Sequence, residues 1–284
     1  MAEPRSQPPS AARGRLVLIG TPLGNREDLT DRARRSLLEA DLLLCEDTRS
    51  PQRLLPDQQL PERISCFVGN EHERVALLLE RLAAGQTVAF VSEAGLPVWS
   101  DPGRLLVAAA VAEGFEVDVI PGPTAATCAL AVSGFVAEGA RFLGFIPRAG
   151  KQRDEALERL REETGAAVIY EAGNRTPALL RDLGKQLGER RVLIARELSK
   201  LHQELLRGTA SELAERIGEP LRGEVTLVVE GAAPSDRPDP GQAAARAVLE
   251  VMLDPALKPR ARAKALAELT GLDGRELYDR LRSR

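Results

Sequence analysis

"TVAFVSEAGLPVWSDPGRLLVAAAVAEGFEVDVIPGPTA", Thr87 to Ala125, contains the pattern from which the fold is read. "TVAFVS" and "FEVDVI" are short and almost continuously apolar, as strands covered on both faces must be. Between them "DPGRLLVAAAVAEG" spaces Leu and Val by three and four residues, the period of a helix. Strand, helix and strand in this order form the βαβ unit of a parallel sheet. Each strand ends in a loop dense in Gly and Pro, far richer than a connector needs.

The same alternation extends both ways. Upstream lie the strands "RLVLIG", "LLLCE" and "RISCFV" and the helices "LTDRARRSLLEA" and "EHERVALLLERLAA". Together they predict an N-terminal α/β domain over 14–122. Downstream, the helix "PGPTAATCALAVSG" leads to a second series over 123–231, with strands "RFLGFIP", "AAVIYEA", "RVLIARE", "QELLRG" and "EVTLVVEG". "QELLRG" follows "RVLIARE" too closely for a crossover helix, so this sheet is expected to be mixed. "AAPSDRPDPG" reads as a linker over 232–241, and 242–284 as a small helical appendage. Residues 1–13 read as a frayed tail without the apolar segment of a signal peptide, which predicts a cytoplasmic protein. The expected fold class is α/β, with a parallel N-terminal sheet, a mixed C-terminal sheet and a helical C-terminal appendage.

Composition excludes several classes. The 284 residues fit two domains, 43% are apolar, and no run approaches a membrane span. Cys45, Cys66 and Cys128 are odd in number and never paired as C-x-x-C, while His72 and His202 are isolated. No metal and no disulfide framework are therefore expected. The net charge of −3 argues against a generally basic nucleic-acid binder. Yet residues 255 to 284 hold eight Lys or Arg against four acids, among them Arg260, Arg262 and Lys264. That stretch reads equally as a phosphate-steering tail and as a solvated helical face.

In an open α/β sheet, ligands bind beyond the carboxyl ends of the strands. Four loops of the first domain end there: "GTPLGN" (Gly20–Asn25), "CEDTRS", "SEAGLPVWSDPG" and "PGPTA". "GTPLGN" matches neither G-x-G-x-x-G nor a Walker A loop, so it reads as a tight turn or a ligand loop with equal weight. "CEDTRS" puts Glu46, Asp47 and Arg49 together at a strand end, either as a helix cap or as working groups. Thr124 can cap the following helix or face a ligand carboxylate. "IPRAGKQR" offers Arg148, Lys151 and Arg153 as phosphate contacts on a basic loop.

"GTPLGN", "CEDTRS", "SEAGLPVWSDPG", "PGPTA", "GFIPR", "YEAGNR", "ARELSKLHQELLRGT" and "GEVTLVVEG" occur in the order and spacing of the tetrapyrrole-methylase superfamily, which this chain resembles over about Gly14 to Gly231. More narrowly it is similar to the bacterial members that methylate a cytidine ribose 2′ oxygen in 16S rRNA of the small ribosomal subunit. The resemblance implies S-adenosylmethionine (SAM) as methyl donor, a homodimer, and a cleft between two α/β domains. It assigns donor contacts to Pro22, Leu23 and Gly24, to Leu96, Pro97, Val98, Trp99 and Ser100, and to Thr124 and Ala125. From the second domain it assigns Tyr170, Glu171, Ala195, Arg196, Glu197 and Glu230. Two positions depart from the family: Glu93 stands where Asp is usual, and Leu96 where Thr is common. The longer Glu93 shifts a carboxylate by about one bond, and a ~1 Å shift at an active site can cost ~10²-fold.

Methyl transfer to a ribose hydroxyl needs an aligned acceptor and removal of a weakly acidic proton. Glu93 and Lys200 are the leading catalytic candidates, followed by Asp101, Glu197, Glu46 and Asp47. Lys200 acts as a base only with a depressed pKa, and otherwise suits a phosphate. Trp99 reads equally as an adenine stacking platform and as core filler. Two rival readings remain, a methylase of a tetrapyrrole-like small molecule and a non-catalytic SAM- or RNA-binding protein. The basic tail and "IPRAGKQR" favour an RNA acceptor.

Overall fold

The computed structural model describes residues 14–135, 139–218, 221–233, 240–254 and 256–282. The expected tail over 1–13 and most of the expected linker, 234–239, lie outside them. Up to Gly231 the chain forms one compact unit, and Ala232 onward a second.

The first sheet is entirely parallel, in the order β3-β2-β4-β1-β5. Its strands are β1 (Arg15–Ile19), β2 (Leu42–Cys45), β3 (Glu62–Ser65), β4 (Thr87–Val91) and β5 (Glu116–Ile120). The central runs are buried on both sides, Leu42, Leu43 and Leu44 all fully so. The covering helices are α1 (Asp31–Glu39), α2 (Ser50–Leu54), α3 (Glu71–Ala83) and α4 (Arg104–Ala112). α2 was not anticipated: it is a single turn inside a stretch read as loop, started by Pro51 in its first positions.

Because every strand of this sheet runs the same way, the loops after β1, β2, β4 and β5 share one edge. Three of them are joined by backbone. Thr21 and Gly95 exchange N–H···O bonds of 2.9 and 3.0 Å, and the Leu96 N–H donates to Pro123 O at 3.1 Å. Gly20 and Gly122 lie so close that a Cβ on Gly20 would sit 2.5 Å from the Gly122 Cα. Both positions need glycine because backbone fills the space of a side chain.

The second sheet has the order β6-β7-β10-β8-β9, built from β6 (Ala140–Phe145), β7 (Ala166–Ala172), β8 (Arg191–Arg196), β9 (Glu204–Thr209) and β10 (Glu224–Val229). Only β6 and β7 are parallel; β10 runs against both β7 and β8, and β9 against β8. The mixed sheet is therefore as read from the short β8–β9 connection. α5 (Ala125–Ser133) packs on one face through Ala126 and Ala129 against Val168, Leu193 and Val228. Its small residues let helix and sheet approach closely. The other face is closed by α6 (Lys151–Glu162), α7 (Thr176–Leu187) and α8 (Ala210–Ile217), whose Leu160, Leu180, Leu183 and Leu213 meet Ile169, Ile194 and Leu227. Thr209 and Glu212 form a reciprocal capping box at the start of α8.

The second unit is helical, with α9 (Pro240–Leu253), α10 (Pro259–Thr270) and α11 (Gly274–Arg282). Gly271, in the left-handed region at φ +70°, ends α10 and splits the long basic stretch into two helices. No helix among the described residues is long and apolar enough to cross a membrane.

The Gly20–Gly122 contact yields a test. Gly20→Ala is expected to lower the urea midpoint at unchanged m-value by the equivalent of about 1–3 kcal/mol, the usual cost of forcing atoms into packed space.

Candidate active site

The carboxyl edge of the first sheet faces the edge of the second that carries the ends of β6, β7 and β8 and the beginning of β10. Between them lies a cavity of about 370 Å³. Its wall on the side of the first sheet comes from the loop after β1 (Leu23), the loop after β4 (Ala94 to Leu96 and Trp99 to Asp101) and the crossing from β5 into α5 (Thr124, Ala125). Its second-domain wall comes from Phe145, Tyr170 to Ala172, Ala195, Leu198, Lys200 and Gly223 to Thr226.

Several contacts clamp the two walls. Trp99 packs on Phe142 with ring centroids 4.3 Å apart, and Phe142 meets Tyr170 edge-on at 4.7 Å. The Asn25 N–H donates to Ser199 Oγ at 3.2 Å across the boundary, and within the second domain the Ala126 N–H donates to the Tyr170 hydroxyl at 3.2 Å. A Cβ on Gly24 would lie 2.2 Å from Lys200 Cγ, so this glycine lets the first loop seat against the second domain. Trp99 is thus an inter-domain contact and cavity wall, 49% exposed, and not filler under its own loop.

The long loop after β4 holds an unusual backbone. Val98 (φ +85°) and Ser100 (φ +75°) flank Trp99 in the left-handed region, which a β-branched residue rarely enters. An internal brace opposes that strain. The buried Glu71 of α3 accepts from the Gly103 N–H at 2.9 Å and the Leu105 N–H at 2.7 Å through Oε1. A carboxylate from another helix thereby caps the amino end of α4, where Gly103 has no side chain to do so. Sequence reasoning missed Glu71, since a Glu at the start of an amphipathic helix looks like a solvated one.

The charged candidates divide clearly. Asp101 lines the cavity and is pushed up to about 6, first by burial and then by the neighbouring charge of Glu46, with smaller effects of Glu224 and Glu93. Glu46 is also raised, by burial and by Glu93. Glu46, Asp47 and Glu93 do not line the cavity, and Glu93 is exposed. Lys200 does line it, but Nζ contacts Glu224 Oε2 at 2.9 Å and Glu197 Oε1 at 3.0 Å. Burial pushes its pKa down, yet those two carboxylates outweigh burial and raise it, the opposite of the depressed value a base needs. Glu197 is its anchor: burial pushes the carboxyl up, but the Glu224 N–H and Lys200 hold it below its ordinary value.

Of the residues assigned to a donor by resemblance, Leu23, Leu96, Trp99, Ser100, Thr124, Ala125, Tyr170, Glu171 and Ala195 line the cavity. Pro22, Gly24, Pro97 and Val98 belong to the same loops but do not line it. Arg196 is turned away, its Nε 3.1 Å from Glu204 and its Nη1 donating to Arg222 O. Glu230 requires a larger correction. β10 is antiparallel to β7 and β8, so its beginning reaches the cleft, while Glu230 lies at the far end, its N–H bonded to Arg191 O and its carbonyl to Arg190. Gly223 to Thr226 take the place expected of it; antiparallel direction was the missing signal.

The RNA candidates also separate. Arg153 is largely buried, donating to Pro147 O at 2.9 Å and Asp182 at 2.7 Å, so it braces its loop against α7 instead of facing solvent. Arg262 donates to Asp254 O at 2.6 Å and holds the chain after α9. Arg148 and Arg260 are exposed; Lys151 and Lys264 are exposed and sit beside Glu155 and Glu268. Arg49 is exposed and doubly hydrogen-bonded to Asp47, which it holds at about 2. No group of three or more His, Cys, Asp or Glu among the described residues could hold a metal ion.

A two-domain α/β protein with a small-molecule cleft between its sheets is the class these features define. The sequence matches the profile of the tetrapyrrole (corrin/porphyrin) methylases over residues 15–214, and the chain belongs to that family. Ribosomal RNA small subunit methyltransferase I of Thermotoga maritima is 45% identical over 221 residues, 77% of this chain and 99% of that protein. The protein of the same name from Synechocystis is 40% identical over 268 residues, 93% of this chain and 96% of its own. A uroporphyrin-III C-methyltransferase from Thermus thermophilus, solved in complex with S-adenyl homocysteine, shares the fold at a TM-score of 0.55 and 23% identity, covering 76% of this chain and 97% of its own.

Glu71→Ala leaves two amides at the base of the cleft loop without their acceptor. We expect a loss of about 1–3 kcal/mol and faster amide exchange confined to the loop after β4 and the first turn of α4, read by hydrogen exchange.

Proposed function

We propose that this chain transfers a methyl group from SAM to small-subunit ribosomal RNA, and that the acceptor is the 2′ oxygen of a cytidine ribose. Membership in the methylase family and the names of relatives aligned over most of the chain support an rRNA methyltransferase. The observation that carries the chemistry is Asp101, a carboxyl with a raised pKa in the wall of the cleft.

The residues present suit SAM. A cavity of about 370 Å³ is within the range of small-molecule sites. Leu23, Leu96 and Val225 offer apolar walls, while Asp101 and Glu224 offer negative charge to a sulfonium. Glu171 Oε2 is a buried acceptor without a hydrogen-bond partner among the described residues, suited to a ligand donor. Bound there, SAM supplies an electrophilic methyl group on a good leaving group. The chain's own residues position and deprotonate the acceptor. Asp101 takes the hydroxyl proton, Lys200 fixes Glu224 at the cleft wall, and Trp99 against Phe142 keeps water from one side of the cavity. Leu96 contributes only side chain and carbonyl, because its N–H is committed to Pro123 O.

The homodimer and the cytoplasmic location belong to the same reading, as does RNA contact by Arg148, Lys151, Arg260 and Lys264. Light scattering of the purified chain tests the dimer. The activity is tested with labelled SAM and small ribosomal subunits from cells lacking the gene, the label being mapped to a nucleotide. Label on a cytidine ribose is expected; SAM binding with no label on RNA overturns the proposal.

With Asp101 as base, the ionised form is the active one. The rate is expected to fall as pH drops through about 6 and to level off above it. Asp101→Asn should lower kcat by about 10²–10⁴-fold and flatten that limb of the profile. An unchanged pH profile in the variant would assign the base elsewhere.

A further inference from the structure

Beside the cleft lies a larger, shallower concavity of about 860 Å³, walled by Thr48, Arg49, Gln52 and Arg53, by Pro56 and the stretch from Leu60 to Arg63 leading into β3, and by Arg26. We propose that this groove seats the sugar-phosphate backbone of the substrate RNA next to the nucleotide being modified; it rests on the rRNA reading above.

Charge is the first support. Four guanidinium groups, Arg26, Arg49, Arg53 and Arg63, converge in a chain whose net charge is −3. The groove's own carboxylate, Glu62, is held by Arg81 at 3.0 Å. Asp47 is shared between Arg49 at 2.8 Å and Arg53 at 3.8 Å. Neither Arg26 nor Arg63 has an ion-pair partner among the described residues. The four cations thus share Asp47 and, at Arg49, the field of Glu93, which leaves the groove an excess of positive charge for an anion to balance.

Preorganisation is the second. Asp47 engages Nε and Nη2 of Arg49, which holds the guanidinium plane still and leaves Nη1 for another acceptor. Gln52 is fixed by donating to Leu55 O, Pro56 O and Gln58 O, and its Oε1 accepts from Arg63 Nη1 at 3.1 Å. A neutral amide therefore orients Arg63 without cancelling its charge. Arginines held in this way suit phosphates, which they bind bidentately.

Position is the third. Thr48 and Arg49 belong to the loop after β2, on the same edge of the sheet as the loop after β4. Arg49 lies in the field of Glu93, the residue preceding the cavity-lining Ala94. A strand lying in the groove is led to the cleft mouth. The groove has no aromatic side chain, hence no platform for base stacking, and its contribution is to affinity and placement, not to sequence.

The test uses the full chain with Arg26→Gln and Arg53→Gln together, and a control pair, Arg159→Gln with Arg216→Gln, that removes equal charge from exposed helix positions of the second domain. A fluorescent single-stranded RNA is titrated across salt concentrations, and methylation of small subunits is followed separately. The groove pair is expected to weaken RNA binding about tenfold or more and to flatten the log–log salt dependence by about 1 to 2. KM for subunits should rise more than kcat falls, with SAM affinity unchanged and the control pair near wild type. Equal RNA affinity and salt slope in groove pair and wild type overturn the groove even if methylation is intact. Conversely, loss of RNA binding in the groove pair upholds it even if the wild type labels no rRNA, an outcome that would overturn only the assigned reaction. A wild type that binds no RNA overturns both.

Discussion

Backbone meeting backbone at Gly20 and Gly122 is the constraint on which the cleft depends. With no side chain on either residue, the loops after β1 and β5 touch, and the loop after β4 is tied to both by the Thr21–Gly95 pair and the Leu96–Pro123 bond. Three loops from a single sheet edge become one rigid floor. A ligand site at the carboxyl edge of a parallel sheet follows from strand direction alone; what is particular here is that the floor is made of main chain, so its shape is independent of rotamers.

Around that floor the protein concentrates cost. Val98 and Ser100 are in left-handed conformations, Asp101 is half-buried among other acids, and on the opposite wall Glu171 keeps an oxygen without a partner among the described residues. Each is unfavourable for folding and is tolerated where surrounding structure over-determines it. Glu71 does so from below through two amides, and the Trp99–Phe142–Tyr170 cluster does so from across the domain boundary. The same features that strain the loop expose backbone and a basic carboxylate to whatever enters the cleft.

Much of this was legible from the chain. Apolar runs and helical spacing located both sheets, and the short link between β8 and β9 revealed the mixed topology. Loops at strand ends identified the first wall of the cavity, because parallel strands leave no choice of edge. The second wall was harder to read, since in a mixed sheet alternate strands point opposite ways; hence Glu230 was expected where Gly223 to Thr226 lie. Charged residues were the least legible. Arg153, Arg196 and Lys200 look available in sequence but are engaged by Asp182, by Glu204 and by the pair Glu197 and Glu224; of these partners only Glu197, three residues before Lys200, is suggested by the sequence. Asp101, read as one candidate among six, stands out only once burial and its acidic neighbours are known.

The central claim is that the methyl donor lies on the main-chain floor with its reacting end toward Asp101. A crystal structure of the chain with S-adenosylhomocysteine tests this most directly. The account predicts the ligand between the two sheets, with its sulfur facing the Asp101 carboxylate. A ligand bound outside this cleft, or one whose sulfur is turned away from Asp101, would contradict it.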